Sequence, residues 1–400
     1  MEENARLLSQ PPEKELSLNE FEDAYGERIA DALNLDSWPL GDNMQQIYSK
    51  LEEEVRLAVQ DEDRICASIR QNVFPEIEKR KRIECAGLHC FDEKMIEKAH
   101  KGFLFNGAVE ACDGTSVVHD TIPLTITQIG VCLVSYNGQN GSYVHRLYRR
   151  DLRLKGDDPV KEALEMLDRR SRRTSVGVED KSEKLSDLAR RGIMTYAERA
   201  ILLEKSSANW RMGHGNPAPY ELMTGFWAHH EEMVNKAIAV MTGVVEHKRF
   251  VFVPSAPRDR HLITLGNALR PMEYLVLNTL EDDLLLRLDS GGYRGYAKEK
   301  VKAFVHEIGP QIGVGLYRVS SAAPPSLFYG HVDHMQTAAL VAMADSILQF
   351  HRGFPMLIDL ADHLCRSNFG QADFIASVQQ AYAETGSPTR FLGERETRIK

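Results

Sequence analysis

Between Asn43 and Arg70, apolar residues recur at Met44, Ile47, Leu51, Val55, Ala58, Ile65 and Ile69. That is the three-and-four spacing of a single helix face, and it predicts a long amphipathic helix. The residues before it, 1–40, are polar, carry Pro11 and Pro12, and read as a partly ordered arm. The charged run 76–84 reads as a solvated helix face. Near residue 107 the period shortens. Ala108–Thr115 reads as a strand ending in a polar turn, and Leu124–Asn137, rich in β-branched residues, as a buried strand. Gly138–Gly141 is a turn, and Tyr143–Leu154 a third strand, so the three form an antiparallel meander. Farther on, Met194–Arg211 is expected as helix, Glu221–Trp227 as a short buried strand, Ala228–Val245 as helix and Arg249–Pro254 as strand. Three more strands are expected at Glu273–Asn278, Asp283–Leu288 and Gly313–Val319, with helices at about 296–308, 334–352, 356–366 and 371–386. A meander followed by alternating helices and strands predicts a mixed α/β sheet flanked by helices.

The organisation expected is a helical N-terminal arm over 1–104, a main domain over 105–370 and a C-terminal helix with a polar tail over 371–400. A basic insertion at about 155–192 interrupts the main domain. With 43% apolar and 27% charged residues in 400, the chain is neither disordered nor fibrous. The net charge of −9 argues against non-specific coating of nucleic acid. Any DNA contact must then use a local basic patch or a cation-filled acidic cleft. Residues 146–173 supply such a patch, with ten basic against six acidic side chains. No apolar run reaches the ~18 residues of a membrane span, and the acidic N-terminus has no signal-peptide core. Six cysteines without a CxxC pair exclude a zinc ribbon and a disulfide scaffold. Together these features predict a cytoplasmic protein with reduced thiols and no membrane contact.

The candidate chemistry is carboxylate chemistry. Asp113-Gly114-Thr115 closes an apolar strand, where an acid projects from a rigid edge and the glycine permits close approach. Such an acid suits Mg²⁺ or Mn²⁺, although Asp-Gly after a strand is also an ordinary turn. Glu198 and Glu204 lie on the next helix six positions apart, so at most one of them faces a common site. Glu221 opens the expected strand that follows. Asp113, one helix glutamate and Glu221 could converge above the sheet and repel one another until divalent cations relieve them. Two-metal sites of this kind hydrolyse phosphodiesters. No Walker loop, GxSxG elbow or catalytic-cysteine signature is present.

These elements, with Gly353-Phe354-Pro355 followed at the family's spacing by Ala361, resemble the NurA nuclease family over about residues 105–370. The resemblance implies an RNase H-like core, a homodimer and Mn²⁺-dependent (or Mg²⁺-dependent) DNA cleavage. It also implies a HerA-like hexameric ATPase as partner, in DNA end processing or anti-phage defence. Asp113 then matches the family's first metal-binding aspartate, and Glu198 or Glu204 its helix glutamate. The family's second strand acid sits in a Leu-Asp-Gly-Ser type motif. By motif register it falls on Thr224, and by spacing from Glu204 on Glu221. The metal set expected is Asp113, Glu204 and Glu221. Phe354 stands where the family has tyrosine, and Asp362 where it has histidine, with His363 one place later. Asp362 or His363 would assist as ligand or proton shuttle, and Arg149, Arg150 and Arg258 would contact the strand. The departures also admit a non-catalytic subunit that docks on the ATPase and regulates it.

Overall fold

The computed structural model describes residues 17–38, 44–80, 82–120, 124–138, 142–151, 158, 160, 161, 164, 187–223, 231–255, 259–290 and 295–386. Its centre is a nine-stranded mixed sheet. The strands are β1 Gly87–Cys90, β2 Val109–Asp120, β3 Leu124–Val134, β4 Ser142–Asp151, β5 Trp210–His214, β6 Phe250–Val253, β7 Glu273–Thr279, β8 Ile312–Arg318 and β9 Ser326–His331. Their order across the sheet is β1-β7-β8-β9-β6-β5-β2-β3-β4.

The meander is as expected: β2 pairs antiparallel with β3, and β3 with β4. β5 runs parallel to β2, and β6 parallel to β5. The order β4-β3-β2-β5-β6, antiparallel and then parallel, is the RNase H-like arrangement. Beyond β6, antiparallel strands β9, β8, β7 and β1 widen the sheet.

Alternation along β2 sends its side chains into two separate cores. Val109 and Ala111 join Leu357, Ile358 and Ala361 of helix Met356–Phe369. Cys112 faces the other way, among Ile201 and Leu202 of helix Asp187–Glu204. The first part of β2 is thus held between two helices on opposite faces of the sheet. Every residue of β6 is buried, and each such large apolar side chain contributes roughly 1.5–3 kcal/mol.

The long amphipathic helix is present over Met44–Asn72. Among the described residues its C-terminal end is what docks, with Cys66 and Ile69 against the core and Arg70 forked onto Glu273 at 2.6 and 2.9 Å. Among the described residues no helix is long and apolar enough to cross a membrane.

Several elements differ from the sequence expectation. The helix expected over Met194–Arg211 runs Asp187–Glu204, and Trp210–His214, expected as helix end and loop, is the interior strand β5. Its signal is weak because it is short and carries Arg211 and Gly213. Gly213 is required there, since a Cβ would lie 2.2 Å from the Phe252 ring. Of the strand expected at Glu221–Trp227, Glu221–Met223 belongs to the helical turn Tyr220–Met223, and 224–230 lie outside the described residues. Asp283–Leu288 is helical, within Glu281–Ser290, where three acids in the first turn suit the helix dipole. β1 and β9, which carried no alternation, were not expected at all.

Candidate active site

Asp113 lies on β2 and is only 5% exposed. Its Oδ1 accepts the Gly114 N–H at 2.8 Å. On the adjacent parallel strand β5, Cys112 is registered with Gly213, so the next residue, His214, stands beside Asp113. His214 Nδ1 is 3.3 Å from Asp113 Oδ1, and its Nε2 is 2.7 Å from Ser255 Oγ. The imidazole packs edge-on to Phe354, with ring centroids 5.9 Å apart. Gly353, at φ +64°, turns the chain so that Phe354 reaches it.

Glu198 projects from helix Asp187–Glu204 onto Gly114, where a Cβ would lie 2.6 Å from Glu198 Oε1. No larger residue fits at 114 without moving that carboxylate. Glu198 Oε2 is 3.2 Å from Arg199 Nη1. Arg199 is 1% exposed and donates to the carbonyls of Thr195 at 2.9 Å and Pro217 at 3.2 Å, and also to that of Asn216. Its guanidinium lies 5.2 Å from the Phe252 ring centroid. Asp362 arrives from the facing helix, with Oδ1 2.8 Å from Arg366 Nε.

The electrostatics tie these groups together. Burial, and next the charge of Asp113, push Glu198 up to about 7, against the pull of Arg199 and His214. Burial and then Asp113 likewise raise Asp362, against Arg366 and His214. Burial resists protonation of His214, but the hydrogen bond and charge of Asp113, with Glu198 and Asp362, outweigh it and raise its pKa. Asp113 and His214 thus act on both Glu198 and Asp362 and link them electrostatically.

Glu204 and His363 lie on the two helices that carry Glu198 and Asp362, and Glu221 on the helical turn Tyr220–Met223. Glu204 is exposed at the end of its helix. Glu221 is 3.8 Å from Arg191 and acts electrostatically on Arg199. His363 is exposed, one helical step from Asp362. Arg149 and Arg150 lie on β4 opposite Ile126 and Thr125, with side chains outside the described residues. Thr224, Arg258 and nearly all of the basic insertion also lie outside them.

The residues missed from sequence were His214, Arg199 and Ser255. A signal for His214 was present: His214-Gly215-Asn216 closes a strand, with Gly215 at φ +85°, much as Asp113-Gly114-Thr115 continues one. Two buried carboxylates, a half-buried one and an imidazole are the donor types that a divalent cation takes. As they stand, among the described residues, no three His, Cys, Asp or Glu side chains form a ready-made cage. Binding would therefore draw the carboxylates away from their present partners.

No family model and no curated protein matches the chain. Solved structures do resemble it. The NurA nuclease from Sulfolobus solfataricus aligns over 85% of this chain and 98% of its own, at 10% identity and TM-score 0.43. NurA with manganese aligns over 86% and 100%, at 7% identity and TM-score 0.46. NurA bound to dAMP and manganese aligns over 80% and 92%, at 7% identity and TM-score 0.40. The likeness spans most of the chain as a fold and says nothing residue by residue.

Proposed function

We propose that this chain is a metal-dependent nuclease that hydrolyses DNA phosphodiesters. The observation that supports the reading is Asp113 held beside His214 on the neighbouring strands β2 and β5, with Glu198 and Asp362 near enough to feel its charge. Asp113, Glu198 and Asp362 would hold Mn²⁺ or Mg²⁺, with His214 at their edge. A cation held there would supply water activation and stabilisation of the leaving oxygen of the phosphodiester. The chain's own groups do the rest. The Gly114 N–H orients Asp113, and Arg199 and Gly114 clamp Glu198 from two sides. His214, fixed by Ser255, holds a proton at Nδ1 against Asp113. Arg149, Arg150 and Arg258 are proposed to contact strand phosphates.

The proposed setting is cytoplasmic: a homodimer that receives DNA from a HerA-like hexameric ATPase, in end processing or anti-phage defence. An acidic chain with a small basic patch binds DNA weakly alone, and a motor would compensate. The test is digestion of linear single- and double-stranded DNA with Mn²⁺, Mg²⁺ or EDTA, by the parent and by Asp113→Ala. Cleavage that needs both the metal and Asp113 supports the reading. Equal cleavage by parent and variant removes it.

A second reading is a non-catalytic subunit that regulates the ATPase. It is favoured by His214, which puts a base rather than an acid beside Asp113 on the neighbouring strand. Under that reading Mn²⁺ gives no rise in melting temperature that depends on Asp113.

A further inference from the structure

Three side chains stand in line at the carboxyl end of the parallel part of the sheet. Strands β2, β5 and β6 are neighbours and run parallel, with Asp113 just past the paired residues of β2, His214 closing β5 and Ser255 two residues beyond β6. His214 lies between the other two because β5 lies between β2 and β6. Its Nδ1 is 3.3 Å from Asp113 Oδ1, and its Nε2 is 2.7 Å from Ser255 Oγ. The Gly215 N–H donates to the Val253 carbonyl at 3.1 Å, which ties the two strand ends together just before Ser255. Exposure rises along the line: the Asp113 side chain is 7% exposed, that of His214 33%, and Ser255 faces solvent. The Phe354 ring packs edge-on against the imidazole.

An ionised carboxylate only accepts hydrogen bonds, so the Nδ1 that faces Asp113 carries the imidazole proton. Nε2 is then a bare lone pair, and the Ser255 hydroxyl donates to it. A buried acid, an imidazole fixed in that tautomer and an exposed serine aimed at Nε2 make a nucleophile relay, which is recognised by geometry and not by order along the chain. The grouping does not match a cation site, since among the described residues no three His, Cys, Asp or Glu side chains could hold a metal ion.

We propose that Asp113, His214 and Ser255 act as this relay, and that Ser255 cleaves neutral carboxylic esters through an acyl-serine, an activity separate from DNA cleavage. Oγ attacks the carbonyl carbon, and its proton passes to His214 Nε2. The C–O bond to the leaving alcohol breaks, and the leaving oxygen takes that proton from Nε2. Water then attacks the acyl carbon and gives a proton to Nε2. The C–Oγ bond breaks, and the proton returns to Oγ. Asp113 stays ionised throughout and stabilises the imidazolium. Charge selects the electrophile. Glu198 and Asp362 act on His214 together with Asp113, so an anionic ester is repelled where a neutral one is not.

The experiment is reaction of the full chain, in EDTA, with a neutral alkyl fluorophosphonate, which phosphonylates an activated serine and releases fluoride. Adducts are counted by intact mass and mapped on peptides, and release of nitrophenolate from p-nitrophenyl acetate is followed in parallel. The expected result is a single adduct on Ser255 and a nitrophenolate burst in the parent, both absent from Ser255→Ala. In His214→Gln the adduct should form about 100-fold or more slowly, the contribution of a general base. No adduct in the parent, or one on another residue, overturns the proposal. Equal labelling of Ser255 in folded His214→Gln overturns the role of His214. Where that variant does not fold, the urea-unfolded parent replaces it, and equal labelling there overturns the relay. DNA cleavage is read separately, so failed labelling leaves the nuclease reading standing, and failed DNA cleavage leaves this one.

Discussion

Asp113 and His214 are lateral neighbours on parallel strands, with Oδ1 3.3 Å from Nδ1. The pairing is imposed by the sheet, because β2 and β5 register one residue earlier at Cys112 and Gly213. Its consequence is electrostatic. Burial alone would lower the His214 pKa, and Asp113 is the main reason that it is raised instead. In Asp113→Asn the imidazole should titrate below its ordinary range, because burial then acts against a weaker partner. A nuclear magnetic resonance titration of the His214 ring protons reads this directly, and an unchanged pKa would sink the account.

The two helix glutamates should behave differently. Glu198 is buried against Gly114 and Arg199, whereas Glu204 is exposed. Glu198→Gln should cut metal-dependent cleavage by about 100-fold or more, since even outer-shell partners of a metal typically account for 10–100-fold. Glu204→Gln and Glu221→Gln should stay within a few-fold of the parent. Initial rates on a fluorescent oligonucleotide distinguish them.

Gly114 is fixed by contact rather than by backbone angle. An added Cβ would lie 2.6 Å from Glu198 Oε1 and 2.8 Å from Met194 Cγ. Gly114→Ala should cost about 1–3 kcal/mol of stability from overpacking. It should also displace the carboxylate and weaken Mn²⁺ binding. Melting temperature and titration calorimetry together measure both effects.

Asp345 makes a pH prediction away from the site. It is fully buried, accepts from Tyr136 Oη at 2.5 Å and from the Leu357 N–H at 2.8 Å, and so ties β3 to the first turn of the helix that carries Asp362. Burial raises its pKa from 3.8 to about 6, against the pull of those two donors. The folded state therefore keeps this proton to higher pH than the unfolded state does. Its contribution to stability is fully present below pH 3.8 and is lost as pH rises to about 6. Asp345→Asn should flatten that part of the melting-temperature profile between about pH 4 and 6. Asp345→Ala should destabilise by about 1–3 kcal/mol for each donor left unpaired.

Much of the architecture is written in local periodicity. The β-branched run of β3, the apolar approach to Asp113 and the heptad-like spacing from Met44 each specify an element without help from the rest of the chain. The meander followed, because short turns leave antiparallel pairing as the only option. Asp113 was legible because an acid following an apolar run is a local pattern, although β2 does not turn there but continues to Asp120. What periodicity could not show was β5. Its five residues take their strand state from β2 and β6 on either side, and tertiary pairing overrides a sequence of Trp, Arg, Met, Gly and His. With β5 hidden, the strand beside Asp113 was assigned to Glu221, and His214 went unseen. Arg199 was equally invisible, since a guanidinium on a helix reads as solvated until the fold brings three carbonyls and an aromatic ring around it. Sequence determined the meander, the long N-terminal helix and where one acid stands. The tertiary structure alone decided which charges meet that acid, because meeting depends on register between segments about a hundred residues apart.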